Sequence, residues 1–96
     1  MHTTTAQNKA HREDLHWIKV GRSEYMRADG VTIRKNQSIG AFWQIFLPTG
    51  EVPCMVLSDG EVLRNFQASG HSLTSAKWHA QFIDADTPAY ERKPRP

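Results

Sequence analysis

Three short loops punctuate the middle of the chain: Ala28-Asp29-Gly30, Pro48-Thr49-Gly50 and Ser58-Asp59-Gly60. Each lies between runs of apolar or alternating residues, and a tight glycine-bearing loop in that setting is a strong local signal for a β-hairpin. The flanking runs are Glu24 to Arg27, Val31 to Lys35, Phe42 to Leu47, Val52 to Leu57 and Glu61 to Phe66. Hairpins in series make an antiparallel meander, so a fold built mainly of helices is excluded at once.

The runs differ in which faces they can bury. In Phe42 to Leu47 both alternating sets are largely apolar, which suits a central strand or one covered on both sides. In Val31 to Lys35 only Val31 and Ile33 are apolar, leaving Thr32 and Arg34 to face outward. Pro53 has no N–H to give a ladder, so Val52 to Leu57 belongs at an edge or begins with a bulge. Leu15 to Val20 can add a further short strand anchored by Trp17.

After Gly70 the period changes. Ser72 is a plausible N-cap, and Leu73, Ala76, Ala80 and Ile83 recur at helical spacing on the face that would lie on the sheet. The expected fold is α+β: a small antiparallel meander of three to five strands packed against one C-terminal helix. Residues 1–14, with no aromatic or branched aliphatic side chain, read as a flexible arm. Residues 15–86 read as a single domain, and 87–96, rich in proline and charge, as a flexible basic tail.

Several kinds of function are excluded by what the 96 residues lack. One cysteine, Cys54, allows no intramolecular disulfide and suits a reducing compartment. No apolar run is long enough to span a bilayer and no secretory signal follows the first residues, so a cytoplasmic protein without a membrane partner is expected. No C-x-x-C or H-x-x-x-H pattern offers a zinc site, and no glycine-rich phosphate loop occurs. Cys54 could act as a nucleophile with His71 or His79 as base, but a small residue in an apolar strand is the usual description of a core thiol. No catalytic residue, metal ligand or cofactor is assigned, and the chain reads as non-enzymatic.

Binding signals are better developed. With 12 Lys and Arg against 10 Asp and Glu the net charge is only +2, yet it is unevenly spread. Lys19, Arg22, Arg27, Arg34 and Lys35 face Glu24 and Asp29 in the stretch from Leu15 to Lys35, whereas Glu51 to Glu91 is acidic. Arg27, Arg34, Lys35 and Arg64 fall on or beside the strands, with Trp17, Tyr25 and Trp43 interleaved, a combination suited to phosphate contact plus stacking. Ordinary pairing with Glu24, Asp29, Glu51 and Glu61 on a solvated face would use the same charges. Trp78 and Phe82, four apart on the helix, project away from its sheet-facing side. Either the amino-terminal strand or Tyr90 covers them, or they serve a protein partner or a second copy of the chain.

The order of "YMRADGVTIRKN", "FWQIFLPTGE" and "SLTSAKWHA" resembles the amino-terminal arm-site DNA-binding domains of mobile-element integrases and related small phage domains, over about Tyr25 to Ile83. The resemblance implies a sheet followed by one helix, with the sheet inserted into a DNA major groove and Arg27, Thr32, Arg34 and Arg64 as contacts. The function expected is thus a small binding or regulatory module of phage or mobile-element type that holds nucleic acid on a basic sheet face. The alternative is a protein-interaction module or inhibitor, such as a phage-encoded antagonist of a host protein, using Trp78, Phe82 and the acidic second half.

Overall fold

A computed structural model of the protein describes residues 16–36 and 42–91. Among the described residues, seven strands and one helix follow in order: β1 (Trp17–Gly21), β2 (Glu24–Arg27), β3 (Thr32–Asn36), β4 (Phe42–Phe46), β5 (Cys54–Val56), β6 (Val62–Gln67), β7 (Ser69–Gly70) and α1 (Leu73–Ala80). A five-stranded antiparallel sheet runs β1-β2-β3-β4-β7, and β5 and β6 pair separately. This is the small α+β fold read from the sequence. The proposed amino-terminal arm lies outside the described residues.

The three punctuating loops are copies of one device. Gly30, Gly50 and Gly60 have φ of 95°, 93° and 91°, a conformation open to glycine at little cost. Their N–H groups donate to the carbonyls of Arg27, Leu47 and Leu57 at 3.0, 2.8 and 2.9 Å. The same three residues donate to the carbonyls of Val31, Glu51 and Glu61. In each loop the middle side chain, Asp29, Thr49 or Asp59, accepts the N–H two residues on. Three-residue loops with a left-handed glycine are a standard hairpin solution, and the middle side chain fastens each one.

The meander does not continue past the second loop. Beyond the Leu47 to Glu51 bond, β4 and the following segment part, and β4 is bordered instead by β7, with Trp43 opposite Gly70 and Gln44 opposite Ser69. Pro53 supplies the reason, since it has no N–H for a ladder with β4. The Ile45 N–H donates to the Ala68 carbonyl, and the Ala68 N–H donates to the Pro53 carbonyl. Ala68, fully buried, is thus the corner at which the chain leaves one sheet for the other.

The expected tail starts too early. The Cys54 N–H donates to the Pro88 carbonyl, the Tyr90 N–H donates to the Val52 carbonyl, and Pro53 bridges Ala89. Residues 88–90 therefore border the segment that Pro53 kept away from β4, and 92–96 lie outside the described residues.

Helix α1 begins as expected, with the Ser72 hydroxyl accepting the Ser75 N–H at 3.1 Å. Its backbone lies directly on β7: a Cβ placed on Gly70 would stand 2.4 Å from the Ala76 nitrogen. Ala76, Ala80 and Ile83 join Val31, Ile33, Ile45, Leu47, Val56, Ala68 and Phe82 in one core.

Candidate nucleic-acid interface

The faces of the sheet follow from its register, because residues directly opposite in an antiparallel ladder share a face, as do residues two apart along a strand. Lys19 stands opposite Tyr25, Tyr25 opposite Ile33, and Ile33 opposite Ile45. Lys35 stands opposite Trp43, and Trp43 opposite Gly70. All of these lie on the face that carries α1, since Ile33 and Ile45 pack with Ala76 and Ala80 and the Lys77 Nζ lies 5.1 Å from the Tyr25 ring centre. The outer face carries Ile18 beside Met26, Met26 beside Thr32, and Glu24 beside Arg34.

Arg27 is the first sequence expectation to be corrected. Its side chain is fully buried, with Nε and Nη2 donating to the two Asp29 carboxylate oxygens at 2.9 and 2.7 Å. Nη1 donates to the Ala80 carbonyl at 2.7 Å, and Nη2 also to that of Ile83. The Trp17 ring lies 5.4 Å from the guanidinium carbon. Arg27 therefore satisfies carbonyls at and just beyond the helix end and has no donor pointing at solvent for a phosphate. Burial pushes the Asp29 carboxyl up, but the Arg27 hydrogen bond and charge, with the Val31 and Asp29 N–H groups, outweigh it and hold the group below its ordinary 3.8.

Thr32 is also withdrawn, being 8% exposed with its hydroxyl 3.3 Å from the Gly30 carbonyl. Arg34 remains exposed on the outer face, stretched over the Phe46 ring at 4.1 Å. Lys35, its neighbour, points to the other face. Arg64 is exposed but belongs to β6, so it shares no ladder with Arg34. The five expected contacts are thus divided between two faces, two sheets and the interior.

The aromatic pair changes as well. Trp78 is exposed, but Phe82 is only 9% exposed and belongs to the core. The expectation assumed that the helix ran on to Phe82, whereas α1 ends at Ala80 and the Phe82 N–H donates to the His79 carbonyl in a tighter turn. That turn swings the ring inward beneath Trp78, which meets it edge-on at 5.2 Å. His79 also meets Trp78 edge-on at 5.0 Å, with Nδ1 buried and unpartnered, and burial lowers its pKa below the ordinary 6.5. Cys54 is fully buried, its sulfur 3.5 Å from the Ala89 carbonyl oxygen.

What the tertiary structure does assemble is a cationic, aromatic end of the sheet. With Arg27 and Asp29 paired to each other, the described strands β1 to β3 and their loops keep Lys19, Arg22, Arg34 and Lys35 against Glu24. Arg22 sits in the β1–β2 turn and Lys35 near the end of β3, whose N–H donates to the Ser23 carbonyl. Helix α1 adds Lys77. Between these cations lie Tyr25 and Trp43, partly exposed, their ring centres 6.1 Å apart. The opposite end of the sheet carries Asp29 and Glu51 on loops brought together where Gly30 meets Pro48. Among the described residues, no ion pair joins Lys19, Arg22, Lys35 or Lys77 to a carboxylate.

Sequence reasoning named Lys35, Tyr25 and Trp43 but did not bring Lys19, Arg22 and Lys77 to them. Lys19 and Arg22 were visible in the basic stretch. Lys77 reaches the site from the helix, which no strand period could show. Comparisons with protein-family models, with curated proteins and with solved structures find no match to this chain.

Proposed function

We propose that the protein is a small binding module, without catalysis of its own, that contacts nucleic acid through the basic end of its sheet. The observation that carries this reading is the gathering of Lys19, Lys35 and Lys77 around the Tyr25 and Trp43 rings. Cations held beside partly exposed rings suit phosphate contact with stacking, whereas cations alone would suit any anion. Arg34, on the outer face of the same end, extends the positive field. The likeness to integrase arm-site domains supports the same ligand class, and with it a phage or mobile-element setting, but not the same contacts, because Arg27 and Thr32 are occupied within the fold.

The test is fluorescence anisotropy of labelled nucleic acids titrated with the protein at several salt concentrations. Binding should weaken steadily with salt, and Lys19→Gln with Lys35→Gln should reduce the slope of log affinity against log salt by about 1.4 to 1.8. Arg27→Met, if folded, should leave that slope unchanged. Absence of binding at low salt for every probe refutes the reading.

A second reading rests on a separate observation. Ile18, Val20 and Met26 are 63%, 50% and 39% exposed on the first two strands, at the open edge of the sheet, and Trp78 is 49% exposed on the helix. Such apolar exposure suits a protein partner. In that case Ile18→Thr with Met26→Thr, or Trp78→Ala, abolishes capture of the partner while the fold survives.

A further inference from the structure

The shape of the basic end narrows the class of nucleic acid. Trp43 lies in the row formed by Lys35, Trp43 and Gly70, and Gly70 is where the helix backbone rests on the sheet. The ring is therefore at the foot of α1, partly buried against the core, and Tyr25 lies in the next row with Lys77 over one of its faces. Both rings are only partly exposed. Reading a duplex calls for an element that enters a groove, the major groove being about 12 Å wide, and in a duplex the faces of the bases are already stacked on one another. A recessed ring can meet a base face only if the base has left its stack.

The cations are placed for the backbone of such a strand. Lys19 and Lys35 lie on β1 and β3, two strand spacings across and two residues along, roughly 12 Å apart at the usual strand spacing and rise. Arg22 lies in the β1–β2 turn, and Lys77 reaches the Tyr25 ring from the helix. Lys77 lies over the Tyr25 ring, whereas among the described residues no cation lies over Trp43, which makes Trp43 the ring proposed for a base.

We infer that the ligand of this site is single-stranded nucleic acid, with one base stacked on Trp43 and the phosphates on either side held by Lys19, Arg22, Lys35 and Lys77. The inference rests on the proposed nucleic-acid reading and departs from the duplex that the arm-site resemblance implies.

Anisotropy titrations of the full chain with labelled oligothymidine, oligouridine and a duplex of matched length test it, the first two separating DNA from RNA as the source of the strand. A single strand of either kind should bind at least tenfold more tightly than the duplex. Three or four phosphate contacts correspond to a salt slope between about −2 and −3 for a single strand. Trp43→Ala should weaken single-strand binding roughly tenfold while leaving weak duplex binding unchanged. Because Trp43 also packs on the core, Trp43→Phe, which keeps a stacking ring, should restore most of the affinity, and Lys35→Gln should lower the slope by about 0.7 without touching the ring. Duplex binding as tight as single-strand binding overturns the inference and leaves the nucleic-acid reading standing. Indifference of single-strand affinity to Trp43→Ala in a folded protein overturns it as well. Binding to none of the three probes removes both.

Discussion

Replacing Arg27 by methionine isolates one interaction that joins two distant parts of the chain. The native guanidinium makes four hydrogen bonds, two to the Asp29 carboxylate and one each to the carbonyls of Ala80 and Ile83, with none of its surface exposed. Methionine keeps much of the buried stem but none of the donors. Asp29 then loses its counter-ion, and two carbonyls at the helix end lose their partners. Removing one member of a buried ion pair costs about 3 to 5 kcal/mol, but Asp29 keeps 25% of its side-chain surface in water, so the lower part of that range applies. A loss of about 3 kcal/mol is a large share of the total stability of a domain this small. Urea unfolding followed by tryptophan fluorescence measures the difference directly. Asp29→Ala added to Arg27→Met should cost much less than Asp29→Ala alone, because the charge it would strand is already gone. A loss below about 1 kcal/mol for Arg27→Met, or additive losses in the double variant, would refute the clamp and mean that water replaces the guanidinium without difficulty.

Other perturbations separate strain, packing and protonation. Gly70→Ala places a methyl group 2.4 Å from the Ala76 backbone nitrogen and should lower stability by several kcal/mol or prevent folding, whereas Gly50→Ala meets no atom within 4 Å and should cost only about 1 kcal/mol through its φ of 93°; equal losses in urea unfolding would contradict the close approach of helix and strand. Burial lowers the His79 pKa, so the unfolded chain takes up the proton first: stability should be full above about 6.5, fall as pH drops from there toward the lower folded value, and level off beneath it. His79→Gln should remove that step from the stability profile, and an unchanged step would assign it to another group. For Asp29 the sign is that of a depressed carboxylate, so its contribution is present above about 3.8 and is lost as pH falls through the lower folded value; Asp29→Asn should remove that acid-side loss.

The repeated loops were legible from the sequence because a hairpin turn is a local decision. Asp29, Thr49 and Asp59 each sit one residue before a glycine that must adopt positive φ, and every partner they need is within two residues. The start of α1 was legible for the same reason, since Ser72 caps Ser75. The largest failures involve partners far along the chain. Arg27 looks like a surface cation among its neighbours, and only the return of residues 80–83 over the sheet, more than fifty positions later, turns it into a buried clamp. Phe82 looks like the helical neighbour of Trp78 until the helix stops at Ala80. Pro53 announced that its strand would lie at an edge or begin with a bulge, and β5 does carry a register shift between Cys54 and Met55. It did not announce that Ala68 would take its place beside β4 or that Ala89 would lie beside it. The sequence alone determined the hairpins, the helix start and the uneven charge, because these depend on backbone geometry and composition within a few residues. Tertiary structure alone decided which charges stay in water, because burying a guanidinium is tolerable only where a carboxylate and free carbonyls converge on it, and that convergence is a property of the packed sheet and helix.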